Sequence, residues 1–156
     1  MGAIASFLPT SDTNHQHVDA NQDSVAYILK NMSDVVIQTV FGSEWNINML
    51  GGGHNEQAYY LIPGVALEYN HLDSQGEVKE VQEIIVGNRN LGFELVLIAE
   101  PAVGFWRFPV ERVSNSEAGI ELIYQESCLV LLLPLDLPPG KAAELSLVWQ
   151  VRKNTE

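Results

Sequence analysis

The residues best suited to ligand binding form an aromatic segment, Phe105-Trp106-Arg107-Phe108, in the second half of the chain. Alternate side chains of an extended strand point to opposite faces. Phe105 and Arg107 then share one face, and Trp106 and Phe108 share the other. Aromatic rings exposed beside an arginine suit the stacking of a sugar, a protein partner or a membrane interface. We predict that these four residues bind a ligand; the alternative is a strand buried on both faces.

A second group of polar residues lies where a predicted strand ends. Glu68 and His71 are followed by Asp73, and His54 follows the glycine run 51–53. A carboxylate beside an imidazole can exchange protons with a substrate or hold a cation. We predict that His54, Glu68 and His71 contribute to ligand binding, and the alternative is a polar loop at the rim of the fold.

The N-terminal histidines have the spacing of candidate metal ligands. His15 and His17 would lie on one face of an extended segment with Asp19, and these side chains can ligate a metal ion. Residues 9–24 are polar and have no apolar period, which is typical of a solvated arm. We therefore predict no metal site, although the acidity of the chain makes calcium worth testing as a cofactor.

No set of residues predicts a catalytic centre. A nucleophile needs a base nearby, but Cys128 lies in the apolar sequence Ser127–Leu131, where a buried cysteine behaves as a small apolar side chain. The glycine run 51–53 lacks the lysine and the following helix that a phosphate-binding loop requires. We predict no catalytic residue and leave open whether the chain is an enzyme, with a non-enzyme favoured.

The charge of the chain limits its partners. The 156 residues include 20 acidic and 8 basic side chains, which gives a formal net charge of −12. Such a surface repels phosphate backbones and anionic lipid headgroups, so we predict that nucleic acid is not a partner. Protein, sugar and lipid ligands remain open.

The expected compartment is the cytoplasm. The single cysteine cannot form an internal disulfide, which favours a reducing environment. We predict no transmembrane segment because no window of 18 apolar residues occurs. Gly2 with Ser6 matches the N-myristoylation pattern, and acylation of Gly2 would make the protein a peripheral membrane protein of marginal affinity.

Alternating apolar and polar residues predict an all-β fold. Turn signals recur about every ten residues from the glycine run to the C-terminus, a spacing typical of sandwiches and barrels. The clearest strand has Leu145, Leu147, Trp149 and Val151 on one face. We predict an antiparallel two-sheet β-sandwich of eight to ten strands, as one domain over residues 25–153 after a flexible arm of residues 1–24. Pro101 and Pro134 are expected to end strands.

Residues 25–41 have two interpretations. Their apolar residues follow helical spacing, which would give an α+β fold with one helix at about 24–41 on an antiparallel sheet. Their β-branched residues and the turn-forming sequence 31–34 instead favour strands at 25–30 and 34–41 joined as a hairpin. We favour the strands because the rest of the chain is strand-like.

Short sequences in the first two thirds of the chain support a resemblance to a known family. Residues 28–33 (ILKNMS), residues 63–70 (PGVALEYN) and an apolar strand ending at Pro101 before an aromatic cluster occur in this order. Over residues 25–110 the chain resembles the actinoporin-type β-sandwiches. This resemblance implies a β-sandwich that binds membrane lipid, and it implies no particular binding residue.

We conclude from the sequence that the protein is a non-catalytic binding module of unknown ligand on a β-sandwich scaffold. One alternative is a membrane-associating sandwich, N-myristoylated at Gly2. The other is a small α+β enzyme with a sheet pocket lined by His54, Glu68 or His71. Unpaired sheet edges also make a homo-oligomer an expectation.

Overall fold

The computed structural model describes residues 21–51, 53–116 and 119–154, and these contain seven strands and no helix. The strands are β1 (Gln22–Lys30), β2 (Ile37–Ile47), β3 (Ala58–Leu61), β4 (Gly76–Asn88), β5 (Phe93–Ser116), β6 (Gly119–Leu137) and β7 (Ala142–Lys153). The all-β fold class is confirmed, and the α+β alternative with a helix at 24–41 is wrong.

The long strand β5 sets the architecture. Its 24 residues would span about 80 Å if straight, whereas a compact domain of this length has a radius of gyration of about 15 Å. The strand therefore has to bend and change partners. Residues 93–100 pair with β7, and residues 104–116 pair with β6. Strand β4 accompanies it through the bend, with register shifts between Val78 and Glu83.

The bend divides one continuous antiparallel sheet into two layers. The first layer has the order β1-β7-β5-β4-β3, and the second consists of β2, β6, the second half of β5 and the start of β4. Aromatic contacts join the layers: the rings of Trp45 on β2 and Trp149 on β7 lie 5.2 Å apart, and those of Tyr27 on β1 and Phe41 on β2 lie 5.1 Å apart. The predicted antiparallel sandwich is thus confirmed.

The core between the layers is built from alternating side chains of both. The fully buried side chains include Leu145 and Leu147 of β7 and Leu129 and Leu131 of β6. Phe105 of β5, which pairs with Leu131, is fully buried as well. Burying each such side chain stabilises the fold by roughly 1.5–3 kcal/mol. Because Phe105 points into this core, Arg107 on the same face of β5 also points inward.

The predicted hairpin over residues 25–41 is wrong, because its two strands belong to different layers. β1 pairs with β7, and β2 pairs with β6. The chain crosses between the layers at Asn31, which is buried and whose side-chain amide donates hydrogen bonds of 2.7 Å to the carbonyl oxygens of Val35 and Leu137. These bonds satisfy backbone groups that the crossing would otherwise leave unpaired.

Two prolines expected to end strands lie within them. Pro101 falls where β5 has left β7 at Glu100 and has not yet joined β6 at Gly104. Pro134 pairs with β2, and the pairing of β6 with β5 stops at Leu132. Each proline thus lies where its strand lacks a partner on one side, so the missing N–H costs no ladder hydrogen bond.

The start of the chain is described only in part. β1 begins at Gln22, inside the segment expected to be an arm, while Gly2, His15, His17 and Asp19 lie outside the described residues. In the described part of the chain, no helix is long and apolar enough to cross a membrane. β1, β2 and β3 each pair with one strand, so self-association through sheet edges stays a prediction.

Candidate functional site

The aromatic segment divides between the two faces of β5. Trp106 is 47% exposed and Phe108 is 40% exposed, whereas Phe105 and Arg107 point inward and are buried. The strand is therefore not buried on both sides. Only Trp106 and Phe108 can touch a ligand on the outer face, and Phe105 and Arg107 are out of its reach.

Trp106 and Phe108 form the centre of an exposed patch that we call the aromatic face. Residues directly opposite each other in an antiparallel sheet share a face. Trp106 lies between Glu77 of β4 and Val130 of β6, and Val130 is opposite Glu44 of β2. The aromatic face comprises Trp106, Phe108, Val130, Glu77 and Glu44.

One residue at the rim of the aromatic face orients the Trp106 ring, and two glycines leave the neighbouring surface without side chains. The indole Nε1 of Trp106 donates a hydrogen bond of 3.2 Å to Glu77 Oε2, which holds the ring in one direction. Next to Val130, Leu132 pairs with two glycines, Gly42 and Gly104, so no side chain rises on either side of it. The face is therefore a flat apolar platform bordered by two carboxylates.

The thiol of Cys128 lies on the same side of the sheet, opposite Phe108, and is unreactive. It is 2% exposed, and burial raises its pKa to about 11, with the neighbouring Glu44 carboxylate adding to the effect. A thiol with this pKa is protonated at neutral pH and is not a nucleophile. Cys128 therefore behaves as the small apolar side chain that its sequence context predicts.

Arg107 points inward and fastens the loop that connects β3 to β4. Its Nε donates to Ser74 Oγ at 3.2 Å, and its NH2 group donates to the Tyr69 carbonyl at 2.9 Å. Its guanidinium also lies 5.4 Å from the centre of the Tyr60 ring. Burial lowers the pKa of Arg107, because the charged guanidinium is less favourable inside the protein than in water. Arg107 is therefore a positioning residue for the loop.

A second candidate site, which we call the loop cluster, consists of His54, His71 and Asp73. His54 comes from the β2–β3 loop, and the other two come from the β3–β4 loop. Nδ1 of His54 lies 3.2 Å from Oδ2 of Asp73, and the two imidazole rings are 4.5 Å apart. The potential ligand atoms of all three residues lie within 4.8 Å of one another. Glu68, which the sequence analysis grouped with His71, is exposed and does not belong to this cluster.

The two loops meet at Gly53. The backbone N–H of Asp73 donates to the carbonyl oxygen of Gly53 at 3.4 Å. A Cβ at position 53 would lie 2.6 Å from Asp73 Cβ and 2.6 Å from the Tyr124 ring, so only glycine fits there. The close approach of the backbones brings His54 to Asp73 across 19 residues of sequence.

A groove of about 280 Å³ lies beside the bulge of β4. Its lining residues are Ile62, Pro63, Val65, Glu80, Val81, Gln82 and Glu83. Glu80 has a φ of +56°, a conformation that non-glycine residues adopt rarely and that accompanies the shift in register. None of the residues expected to line an enzyme pocket, His54, Glu68 and His71, contributes to this groove.

The fold and the aromatic face together define a β-sandwich domain with a flat aromatic surface. Residues 14–147 match the family described as alpha-amylase/4-alpha-glucanotransferase, C-terminal, and the chain belongs to this family. It is 30% identical over 128 residues to alpha-amylase 1 of Dictyoglomus thermophilum, covering 82% of this chain and 18% of that protein. The chain thus spans less than a fifth of this relative.

Two solved structures share the fold. The 4-alpha-glucanotransferase from Thermococcus litoralis superposes with a TM-score of 0.50 and 16% identity, over 86% of this chain and 19% of that one. A putative aldose 1-epimerase from Escherichia coli K12 gives a TM-score of 0.56 and 11% identity, over 88% of this chain and 58% of that one.

The resemblance to actinoporin-type sandwiches is wrong. The family match covers the whole of residues 25–110, on which that resemblance depended. The sequences that suggested it are short strand and turn sequences, and antiparallel sandwiches of unrelated families share such sequences because they share the same local geometry.

Proposed function

We propose that this chain is a non-catalytic domain that binds α-linked glucan through the aromatic face. The observation that carries the proposal is the exposure of Trp106 and Phe108 side by side on the outer surface of β5. The family described as alpha-amylase/4-alpha-glucanotransferase, C-terminal, and the relative named alpha-amylase 1 support a glucan as the ligand.

The chemistry of the face suits a sugar chain. A pyranose ring has apolar C–H faces and a rim of hydroxyl groups. Trp106 and Phe108 are two residues apart on one strand, so their rings follow each other at about 7 Å and can take two consecutive sugar units. The hydroxyl groups would donate to the carboxylates of Glu77 and Glu44, since an ionised carboxylate accepts about four hydrogen bonds.

The non-catalytic part of the proposal is supported by the thiol and by the shape of the face. Cys128 is protonated at neutral pH and buried, so it supplies no nucleophile. A flat sheet surface leaves a bound sugar open to water, whereas catalytic sites exclude water and surround the reacting atoms.

The proposal is tested by measuring maltoheptaose affinity by calorimetry for wild-type protein and for Trp106→Ala. A tryptophan buries 150–250 Å² in total, so the 47% of Trp106 that is exposed offers about 70–120 Å², or about 2–3 kcal/mol if fully covered. Stacking covers one ring face, which is about half of this. We expect an affinity loss of about tenfold, and a similar loss for Phe108→Ala.

Tyr69→Ala is the matched control, because Tyr69 is an aromatic residue that is 62% exposed on a loop outside the aromatic face. Its backbone carbonyl, which Arg107 contacts, is retained in the variant. Glucan affinity should be unchanged in Tyr69→Ala. Binding that is absent at millimolar maltoheptaose in the wild type, or equal in wild type and Trp106→Ala, would overturn the proposal.

A further inference from the structure

We propose that the loop cluster of His54, His71 and Asp73 is a binding site for a divalent transition-metal ion, with Zn²⁺ as the preferred ion. The three side chains supply two imidazole nitrogens and one carboxylate oxygen within 4.8 Å of one another. A water molecule completes four-coordination. The sequence analysis predicted no metal site, and this inference is independent of glucan binding by the aromatic face.

The donor set selects the type of ion. Imidazole nitrogen and carboxylate oxygen are common Zn²⁺ ligands at about 2.0–2.2 Å. Calcium takes six to eight oxygen ligands and does not suit two imidazoles, so calcium, which the acidity of the chain made worth testing, is not the ion proposed for this cluster. The net charge of −12 raises the local concentration of any cation.

The spacing of the donors is close to what a tetrahedral ion needs. Bonds of 2.0–2.1 Å at tetrahedral angles place neighbouring ligand atoms about 3.3 Å apart. Nδ1 of His54 and Oδ2 of Asp73 are 3.2 Å apart. No two of the three ligand atoms are more than 4.8 Å apart, so the most distant pair has to approach by at most about 1.5 Å when the ion binds. The His54 side chain is 78% exposed and can make this movement by rotating about its own bonds.

The backbone that carries the ligands is fixed on both sides. His71 forms a β-bridge with Tyr59 at the start of β3, and the N–H of Ser74 donates to the His71 carbonyl at 2.9 Å. Between the two ligands of this loop, the buried Ser127 hydroxyl donates to the carbonyl oxygen of Leu72 at 2.9 Å. These contacts hold the backbone of His71 and Asp73 in place, so the two side chains start from fixed positions.

A surface hydrogen bond between His54 and Asp73 is the competing explanation, and metal binding separates the two. The experiment titrates the full chain, without a polyhistidine tag, with Zn²⁺ by calorimetry and with Co²⁺ by visible absorption. We expect one equivalent to bind and Co²⁺ to give the d–d bands of a tetrahedral site. His54→Ala and Asp73→Asn should each lose at least about a hundredfold in affinity, because removing an outer contact alone costs 10–100-fold.

The matched control is the double variant His15→Ala/His17→Ala, which removes the other two of the four histidines. It should bind Zn²⁺ with wild-type affinity. A second readout is the melting temperature, which a ligand of the native state raises. Excess Zn²⁺ should raise it in the wild type and in the double variant, but not in His54→Ala. The metal-free melting temperature of His54→Ala checks that the variant is folded.

Three results would overturn the inference. The first is no binding at millimolar Zn²⁺. The second is binding that survives in His54→Ala and Asp73→Asn. The third is binding lost in the double variant, which would place the ion on the N-terminal histidines. Glucan affinity is measured with a chelator present, so that a negative result for metal binding can be distinguished from a negative result for glucan binding by the aromatic face.

Discussion

Replacing Arg107 with methionine tests whether its inward position stabilises the β3–β4 loop. The variant loses two hydrogen bonds from a charged donor, to Ser74 and to Tyr69, which are worth about 1.5–3 kcal/mol each. It also loses the contact with the Tyr60 ring, worth about 0.5–2 kcal/mol. The opposing term is the burial of the guanidinium, a cost of several kcal/mol that methionine does not incur.

The balance of these terms predicts a loss of about 2 kcal/mol in the free energy of unfolding. A methionine fills most of the space of the arginine stem, so the loss comes from the polar contacts and not from a cavity. For a chain of this size, 2 kcal/mol corresponds to a fall in melting temperature of about 4–8 °C. Urea unfolding followed by tryptophan fluorescence and far-UV circular dichroism measures it, and the m-value should stay constant.

Arg112→Met is the control, because Arg112 lies on the same strand and is exposed. A surface substitution of this kind should change stability by less than about 0.5 kcal/mol. If Arg107→Met and Arg112→Met unfold at the same urea concentration, the hydrogen bonds of Arg107 give no net stabilisation and the positioning role is refuted.

Further outcomes are expected from other contacts in the structure. Tyr59→Phe removes the 2.5 Å hydrogen bond to Glu94 and should cost about 1–2 kcal/mol at pH 7. Burial acts to raise the pKa of Glu94, but hydrogen bonds from Tyr59 and Arg152 hold the pKa below its usual value. The stabilisation that ionised Glu94 gives the fold is therefore present above the unfolded-state pKa of this carboxyl group. It is lost as pH falls through the folded-state pKa. The urea midpoints of wild type and Tyr59→Phe should therefore converge in acid, and a constant difference would contradict this. Burial, and then Glu94, raise the pKa of Tyr59 to about 12, so wild-type stability should also fall between pH 10 and 12, and less in Tyr59→Phe, as urea unfolding at these pH values will show. Asn31→Ala loses four side-chain hydrogen bonds and should cost about 3–4 kcal/mol in urea unfolding; a loss under 1 kcal/mol would contradict its role at the crossing. Cys128 is buried, so it should react with a thiol reagent only as fast as the protein unfolds. Calcium that binds the native state should raise the melting temperature, and an unchanged value at millimolar calcium would exclude calcium as a ligand.

The strands were predictable because alternation is a local property, but their partners were not. In β7, Leu145 and Leu147 are fully buried as alternation predicts. On the same face Val151 is 44% exposed, because alternation gives the direction of a side chain and not the extent of the core. The pairing of β1 with β7 joins residues more than a hundred positions apart, and no local signal specifies it.

The candidate sites show the same division between local and tertiary information. Alternation correctly separated Trp106 and Phe108 from Phe105 and Arg107. It could not say which pair faces outward, because both pairs include an aromatic ring. The sequence analysis named His54 and His71 as binding residues but could not predict that they meet, because they are 17 residues apart and come together only through the tight contact at Gly53. Sequence proximity had instead favoured Glu68.

Strands β4 and β5 run through both layers, so the two layers should unfold together. Neither layer has a complete set of strands of its own, so neither can melt while the other persists. Heat or denaturant should produce a single all-or-none transition, seen alike by Trp149 in one layer and Trp45 in the other. A protease cut within β5 should therefore unfold the whole domain and leave no folded fragment.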